Sequence, residues 1–139
     1  MAHPLYAEFG KSPYTKLTGI EITRREDGYS HLIMKVTETV LGFPSGSVSE
    51  SVHGGAIATM VDVGMGGALL TRLKDDELIR TVQLQVNYLA AAVSGILICE
   101  SKVINKGRKI ATVESEVSNE EGLVAKATGT YYISKAKSE

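Results

Sequence analysis

Apolar positions along this chain follow two different periods, and the change of period marks its organisation. At 82, 84, 86 and 88 the residues Val, Leu, Val and Tyr alternate with Thr81, Gln83, Gln85 and Asn87, which predicts a half-buried strand over 80–89. Segments 95–105, 109–118 and 123–134 are rich in β-branched residues. Lys106-Gly107-Arg108 and Asn119-Glu120-Glu121-Gly122 separate them and predict hairpins. Upstream, 20–25 and 29–37 flank Asp27-Gly28 as a further hairpin, preceded by a short helix over 12–18 that stops before Gly19. Residues 41–52 mix glycine, proline and serine without either period and read as a loop. From 53 to about 73 the apolar residues lie on every side, which predicts a buried central helix. Ser51 or His53 is its N-cap, and Lys74-Asp75-Asp76 is its polar exit. Residues 135–139 form a charged tail.

Two strands, a buried helix and four strands in an antiparallel meander make an α+β chain, a single antiparallel sheet of about six strands wrapped around the helix. With 139 residues, of which 43% are hydrophobic, one domain over 1–139 is expected. The net charge of −1 and a pI near 6.3 provide no basic excess for nucleic acid or an anionic membrane, so small molecules or proteins are the expected partners. The weakly polar run 54–71 is broken by Asp62 and by five glycines, so it is read as a core helix rather than a membrane span. Cys99 is the only cysteine, which excludes an intrachain disulfide, and residues 1–6 lack a charged region followed by an apolar run. A cytoplasmic location is the corresponding expectation.

Chemistry concentrates at the helix. Gly54 and Gly55 have no side chains to shield backbone N–H groups that lack intrahelical partners, so these groups can donate to an oxyanion. Asp62 lies between Val61 and Val63, where a lone carboxylate is costly; a buried acid taken alone is most often a cap or half of a salt bridge. Gly54 and Asp62 are separated by eight residues, about 12 Å along a straight helix. One carbonyl cannot touch both. If both serve one reaction, the carboxylate comes from a second copy related by a two-fold axis, and the small residues Gly64, Gly66, Gly67 and Ala68 would ease a close approach. Other motifs add nothing. Gly64-Met65-Gly66-Gly67 lies inside a helix rather than after a strand, no Gly-x-Ser-x-Gly elbow is present, and His3, His31 and His53 are too scattered for zinc. No metal and no cofactor is expected.

His53-Gly54-Gly55, Asp62 nine positions after the histidine, Thr81-Val82 opening a strand, Gly95 starting the next and Gly107-Arg108 at a hairpin form a recognisable pattern. It resembles the hot-dog-fold acyl-CoA thioesterases of the phenylacetic-acid-degradation type, over roughly residues 17–133. That resemblance implies hydrolysis of acyl-CoA to free acid and CoA, in sites shared between the subunits of a homodimer that often belongs to a homotetramer. It makes Asp62 a general base or a nucleophile, assigns the oxyanion to the Gly55 N–H with Gly54, and has His53 orient the turn or the thioester. Thr81 would hold the attacking water, with Val82 beside it contacting substrate. Lys106, Arg108 and Lys109 would meet coenzyme A phosphates, unless they are simply a solvated turn. The family's loop asparagine has no counterpart, because no Asn precedes Asn87; Ser45, Ser47, Ser49 and Ser51 fill that loop, and Ser47 is the candidate substitute. Phe43, Met60, Met65 and Tyr88 are candidates for the acyl pocket as well as for the core. Two rivals stand beside this reading. A hydratase or dehydratase of the same fold would use histidine motifs absent here, and a non-catalytic acyl-CoA-binding or regulatory module would lack the base.

Overall fold

The computed structural model describes residues 2–42 and 50–137. Phe43, Ser45, Ser47 and Ser49 lie outside the described residues. Helix α1 (Pro13–Thr18) is capped by Ser12, whose hydroxyl accepts the Thr15 N–H, starts on a proline and ends at Gly19 with a φ of 78°. Strands β1 (Ile20–Glu26) and β2 (Tyr29–Lys35) follow, then a 3₁₀ turn (Glu38–Val40) and the long helix α2 (Gly54–Leu70). The chain continues with β3 (Glu77–Tyr88), β4 (Ile96–Lys106), β5 (Ile110–Asn119) and β6 (Gly122–Lys135).

All six strands join one antiparallel sheet in the order β1-β2-β4-β5-β6-β3. The expected four-strand meander is thus correct only for β4, β5 and β6. β3 lies at the far edge against β6, and β4 pairs with β2. The connection over 89–95 carries the chain back past the start of α2, where Ala92 is buried and its carbonyl accepts the Val52 N–H at 2.8 Å. Alternation along a strand reports which face is covered, not which strand lies beside it.

The sheet curls around α2, which packs mainly on β4, β2 and β5. Met60, Val61, Met65 and Leu69 are fully buried against Leu32, Leu97 and their neighbours. Met60 and Met65 therefore belong to the core rather than to an accessible pocket wall. The glycines of α2 serve this packing. A Cβ on Gly64 would lie 2.7 Å from Ser101 Oγ and 3.2 Å from Cys99 Sγ, and one on Gly66 would lie 2.6 Å from the Phe9 ring. The small residues thus bring α2 close to its own sheet and N-terminal segment, because positions 64, 67 and 68 share the inward face at helical spacing. That corrects their expected use against a second helix.

Helix α2 stops three residues before the expected end, where the Thr71 hydroxyl donates to the Ala68 carbonyl and the Arg72 N–H to Leu69. β3 starts three residues early because Glu77 is held at its first position: its carboxylate accepts the Lys74 N–H at 2.7 Å and pairs with Lys106 at 3.2 Å. Among the described residues, no helix is long and apolar enough to cross a membrane.

Candidate active site

His53 caps α2 through its ring, with Nδ1 accepting the Gly55 N–H at 2.7 Å. This is the donor that the sequence assigns to an oxyanion, and here the imidazole occupies it. The Gly54 N–H has no partner among the described residues, while the Gly54 carbonyl accepts from the Tyr88 hydroxyl at 2.7 Å. Tyr88 thereby ties the end of β3 to the start of α2. A Cβ on Gly54 would lie 3.3 Å from the Tyr88 ring, so glycine is what permits this approach. Beside it runs an open groove of about 440 Å³ lined by Ser51, Val52, Gly54, Ile57, Tyr88 and Leu89, with the alanines of the β3–β4 connection. Tyr88 thus lines an open groove at the glycine end of the helix rather than packing in the core.

Two turns further along, Asp62 is half-buried on the side of α2 that faces β3. The Thr81 hydroxyl donates to Asp62 Oδ1 at 2.9 Å, and the Tyr131 hydroxyl donates to the same oxygen at 2.7 Å. Tyr131 also lies 3.2 Å from the Asp62 carbonyl oxygen. No hydrogen bond to Oδ2 is present among the described residues.

The reach of Thr81 depends on an irregularity. The β3–β6 register shifts between Thr81 and Gln83, so Val82 is an extra, bulged residue, 61% exposed. Without that bulge, Thr81 would share its face with Gln83 and Gln85. With it, Thr81 joins the inward set of Leu84 and Val86 and reaches α2. The alternation visible in the sequence places Thr81 on the polar face, and the bulge reverses that placement.

Tyr131 escaped the sequence reading. It pairs laterally with Thr81 and with Ala111, and only 2% of its surface is exposed. Its signal was available in principle: a tyrosine on the covered face of a strand needs a partner for its hydroxyl, and Asp62 was the one acid assigned to the apolar interior. Burial first, then the charge of Asp62 and their hydrogen bond, push the Tyr131 hydroxyl far up from its ordinary value, so it stays a donor.

The basic hairpin is divided. Lys106 is committed to Glu77, whereas Arg108 and Lys109 are exposed at the turn. Cys99 on β4 is fully buried, and burial pushes its thiol up to about 11. Among the described residues no cluster of His, Cys, Asp or Glu is placed to hold a metal ion.

The structure therefore brings together Asp62, Thr81 and Tyr131 at one level of the sheet and His53, Gly54, Gly55 and Tyr88 at another. Because α2 runs unbroken from Gly54, the two levels stay about 12 Å apart.

Similarity to known proteins follows the same lines. The chain is 37% identical over 87 residues to a protein of Saccharolobus solfataricus named as a candidate esterase, covering 62% of this chain and 61% of that one. It thus spans less than two thirds of that relative's length. A conserved protein of Pseudomonas aeruginosa of solved structure superposes with a TM-score of 0.78 at 27% identity, over 91% of this chain and 98% of that one. A hypothetical thioesterase of Streptococcus pneumoniae, solved with coenzyme A, superposes with a TM-score of 0.78 at 24% identity over 95% and 98%. The fold is the hot-dog fold. The profile of the Thioesterase superfamily matches residues 50–126, more than half the chain and the stretch that holds α2, Asp62 and Thr81, and the chain belongs to that superfamily.

Proposed function

We propose that this protein hydrolyses acyl-CoA thioesters to free acid and CoA, in sites built between two copies of the chain. The observation that carries the reading is the Asp62 carboxylate, held through one oxygen by Thr81 and Tyr131 and about 12 Å from Gly54 on the same helix. Gly55 of the partner subunit supplies the N–H for the thioester oxygen, which takes the place of His53 Nδ1 there. As general base, Asp62 accepts a proton from water, the water oxygen bonds to the carbonyl carbon, and the C–S bond breaks, with the proton held on Asp62 passing to the leaving sulfur to give the CoA thiol. As nucleophile, its oxygen bonds to that carbon while the C–S bond breaks and CoA leaves as thiolate; water then opens the mixed anhydride, releasing the acid and the Asp62 carboxylate, and the proton set free goes to the thiolate. Both routes require the same carboxylate.

A free sheet edge supports the two-fold arrangement. On β3, Thr81 stands beside Asp62 and Tyr88 beside Gly54, so β3 and α2 run in opposite directions. β3 is also an edge strand, with Val82 exposed at its middle, Tyr88 exposed at its end and Leu89 exposed just beyond it. Pairing β3 with its own copy about a two-fold axis near Leu84 and Gln85 sets Thr81 of one chain opposite Tyr88 of the other. Asp62 then approaches Gly54 of the partner subunit. A homodimer is the minimum unit, and a homotetramer is two of them.

His53-Gly54-Gly55 with Asp62 nine residues on supports the phenylacetic-acid-degradation type, and the coenzyme A in the Streptococcus pneumoniae neighbour supports CoA as the carrier. Arg108 and Lys109 are the exposed cations for its phosphates, and Val82 is a substrate contact. One domain over 1–139 acting in the cytoplasm completes the proposal. The test is thiol release from short, long and aromatic acyl-CoAs by wild type and Asp62→Asn. A loss of about 10²–10⁴-fold in kcat is expected. Equal rates refute the role of Asp62, and binding without turnover of any thioester favours a non-catalytic acyl-CoA-binding module.

A further inference from the structure

Resting on that reading of Asp62, we infer that Tyr131 is a positioning residue for the hydrolysis. With Thr81 it fastens Asp62 Oδ1, so that Oδ2 is the oxygen turned to the reacting water or carbonyl carbon.

Geometry carries the inference. A carboxylate on two carbons has a broad, roughly two-fold torsion at its end, so one hydrogen bond leaves its plane poorly defined. Two donors reach Oδ1 from different elements, Thr81 from the sheet edge at 2.9 Å and Tyr131 from β6 at 2.7 Å. Together they fix which oxygen points away from the sheet. Tyr131 suits this task because it cannot wander. It is 2% exposed, its ring lies under α2, and Asp62 supplies both acceptors its hydroxyl meets among the described residues. Glycine makes the room: a Cβ on Gly129, two residues before it, would lie 2.6 Å from Met65 Sδ and 3.1 Å from Tyr131 Cε1. Tyr131 touches neither the water nor the thioester. Its effect passes through Asp62, and misplacing a reacting group by about 1 Å costs about 10²-fold in rate.

A merely structural tyrosine, pinning α2 to the sheet, would behave differently. Ser30 provides the matched control, since its hydroxyl donates to the Gly64 carbonyl at 2.6 Å and ties the same helix to β2 two residues from Asp62. The experiment measures kcat, KM and thermal midpoint on acyl-CoA for wild type, Asp62→Asn, Tyr131→Phe and Ser30→Ala. We expect Tyr131→Phe to lower kcat about 10–100-fold with KM within about twofold of wild type, and Ser30→Ala to keep kcat within about twofold. Adding Thr81→Val to Tyr131→Phe should cost less than the product of the single effects, because both donors serve one oxygen. The inference is overturned if Tyr131→Phe retains wild-type kcat while Asp62→Asn is inactive, or if Ser30→Ala loses as much kcat as Tyr131→Phe. An inactive wild type overturns the thioesterase reading and this inference together, whereas a fully active Asp62→Asn overturns the role of Asp62, and with it this inference, while leaving thioester hydrolysis standing; both patterns are distinct from the two above.

Discussion

Glu77 and Lys106 form a pair whose side chains are 6% and 18% exposed, placed where β3 begins. Burial works to raise the Glu77 carboxyl, but the Lys74 N–H and then the Lys106 ammonium outweigh it and hold it below its ordinary value. A depressed carboxyl adds stability that is complete above the unfolded value, near pH ~4.3, and is lost as pH falls through the folded one. Removing the cation strands a buried charge, so Lys106→Ala should lower unfolding free energy by about 3 kcal/mol at neutral pH. That difference should shrink in acid as Glu77 is protonated, which urea melts at several pH values would show. KM for acyl-CoA should hardly change, whereas a large rise in KM with unaltered stability would return Lys106 to the phosphate site. In the sequence Lys106 is one of three clustered cations, and nothing local marks it as the one that turns inward. Its partner lies 29 residues away on a strand that is not even its neighbour, since β5 and β6 stand between β4 and β3 in the sheet. His53, Gly55 and Asp62 were legible for the opposite reason: they sit on one helix, where rise per residue converts spacing into distance.

Helix α2 and strand β3 differ in how openly they declare themselves. The helix is apolar all round and ends in a polar cluster, so its span and burial follow from composition. β3 carries a clear alternation that nevertheless misplaces Thr81, since one bulged residue at Val82 exchanges the two faces beyond it. Position 64 shows how closely the helix is seated. Gly64→Val would drive a branched side chain into Ser101 and Cys99, beneath which Ser101 is hydrogen-bonded to Ser115. Overpacking of this kind costs about 3 kcal/mol, and valine adds no helix propensity to match alanine's. The urea midpoint of Gly64→Val should fall accordingly. A midpoint at or above that of wild type would mean that α2 can shift off the sheet freely, contrary to the packing around it.

At the scale of the molecule the question is which chain supplies each half of a site. A helix that holds Gly55 and Asp62 about two turns apart admits one answer if both groups act on one carbon, and two inactive variants can check it. Gly55→Pro removes the N–H in the first helical turn, where proline is tolerated, and leaves Asp62 intact. Asp62→Asn removes the carboxylate and leaves the N–H. Each variant alone should be inactive. Mixed and allowed to exchange subunits, half of the dimers become heterodimers, and in each of these one of the two sites joins an intact Asp62 to an intact Gly55 from the other chain. The mixture should therefore recover roughly a quarter of wild-type activity, rising with time at the rate of subunit exchange. If both groups served one site within one chain, every site in the heterodimer would contain one defect and the mixture would stay inactive. Recovery places the reacting carbon between two copies of α2; continued inactivity, with exchange confirmed by mass, confines the chemistry to a single chain and separates Gly55 from the reaction of Asp62.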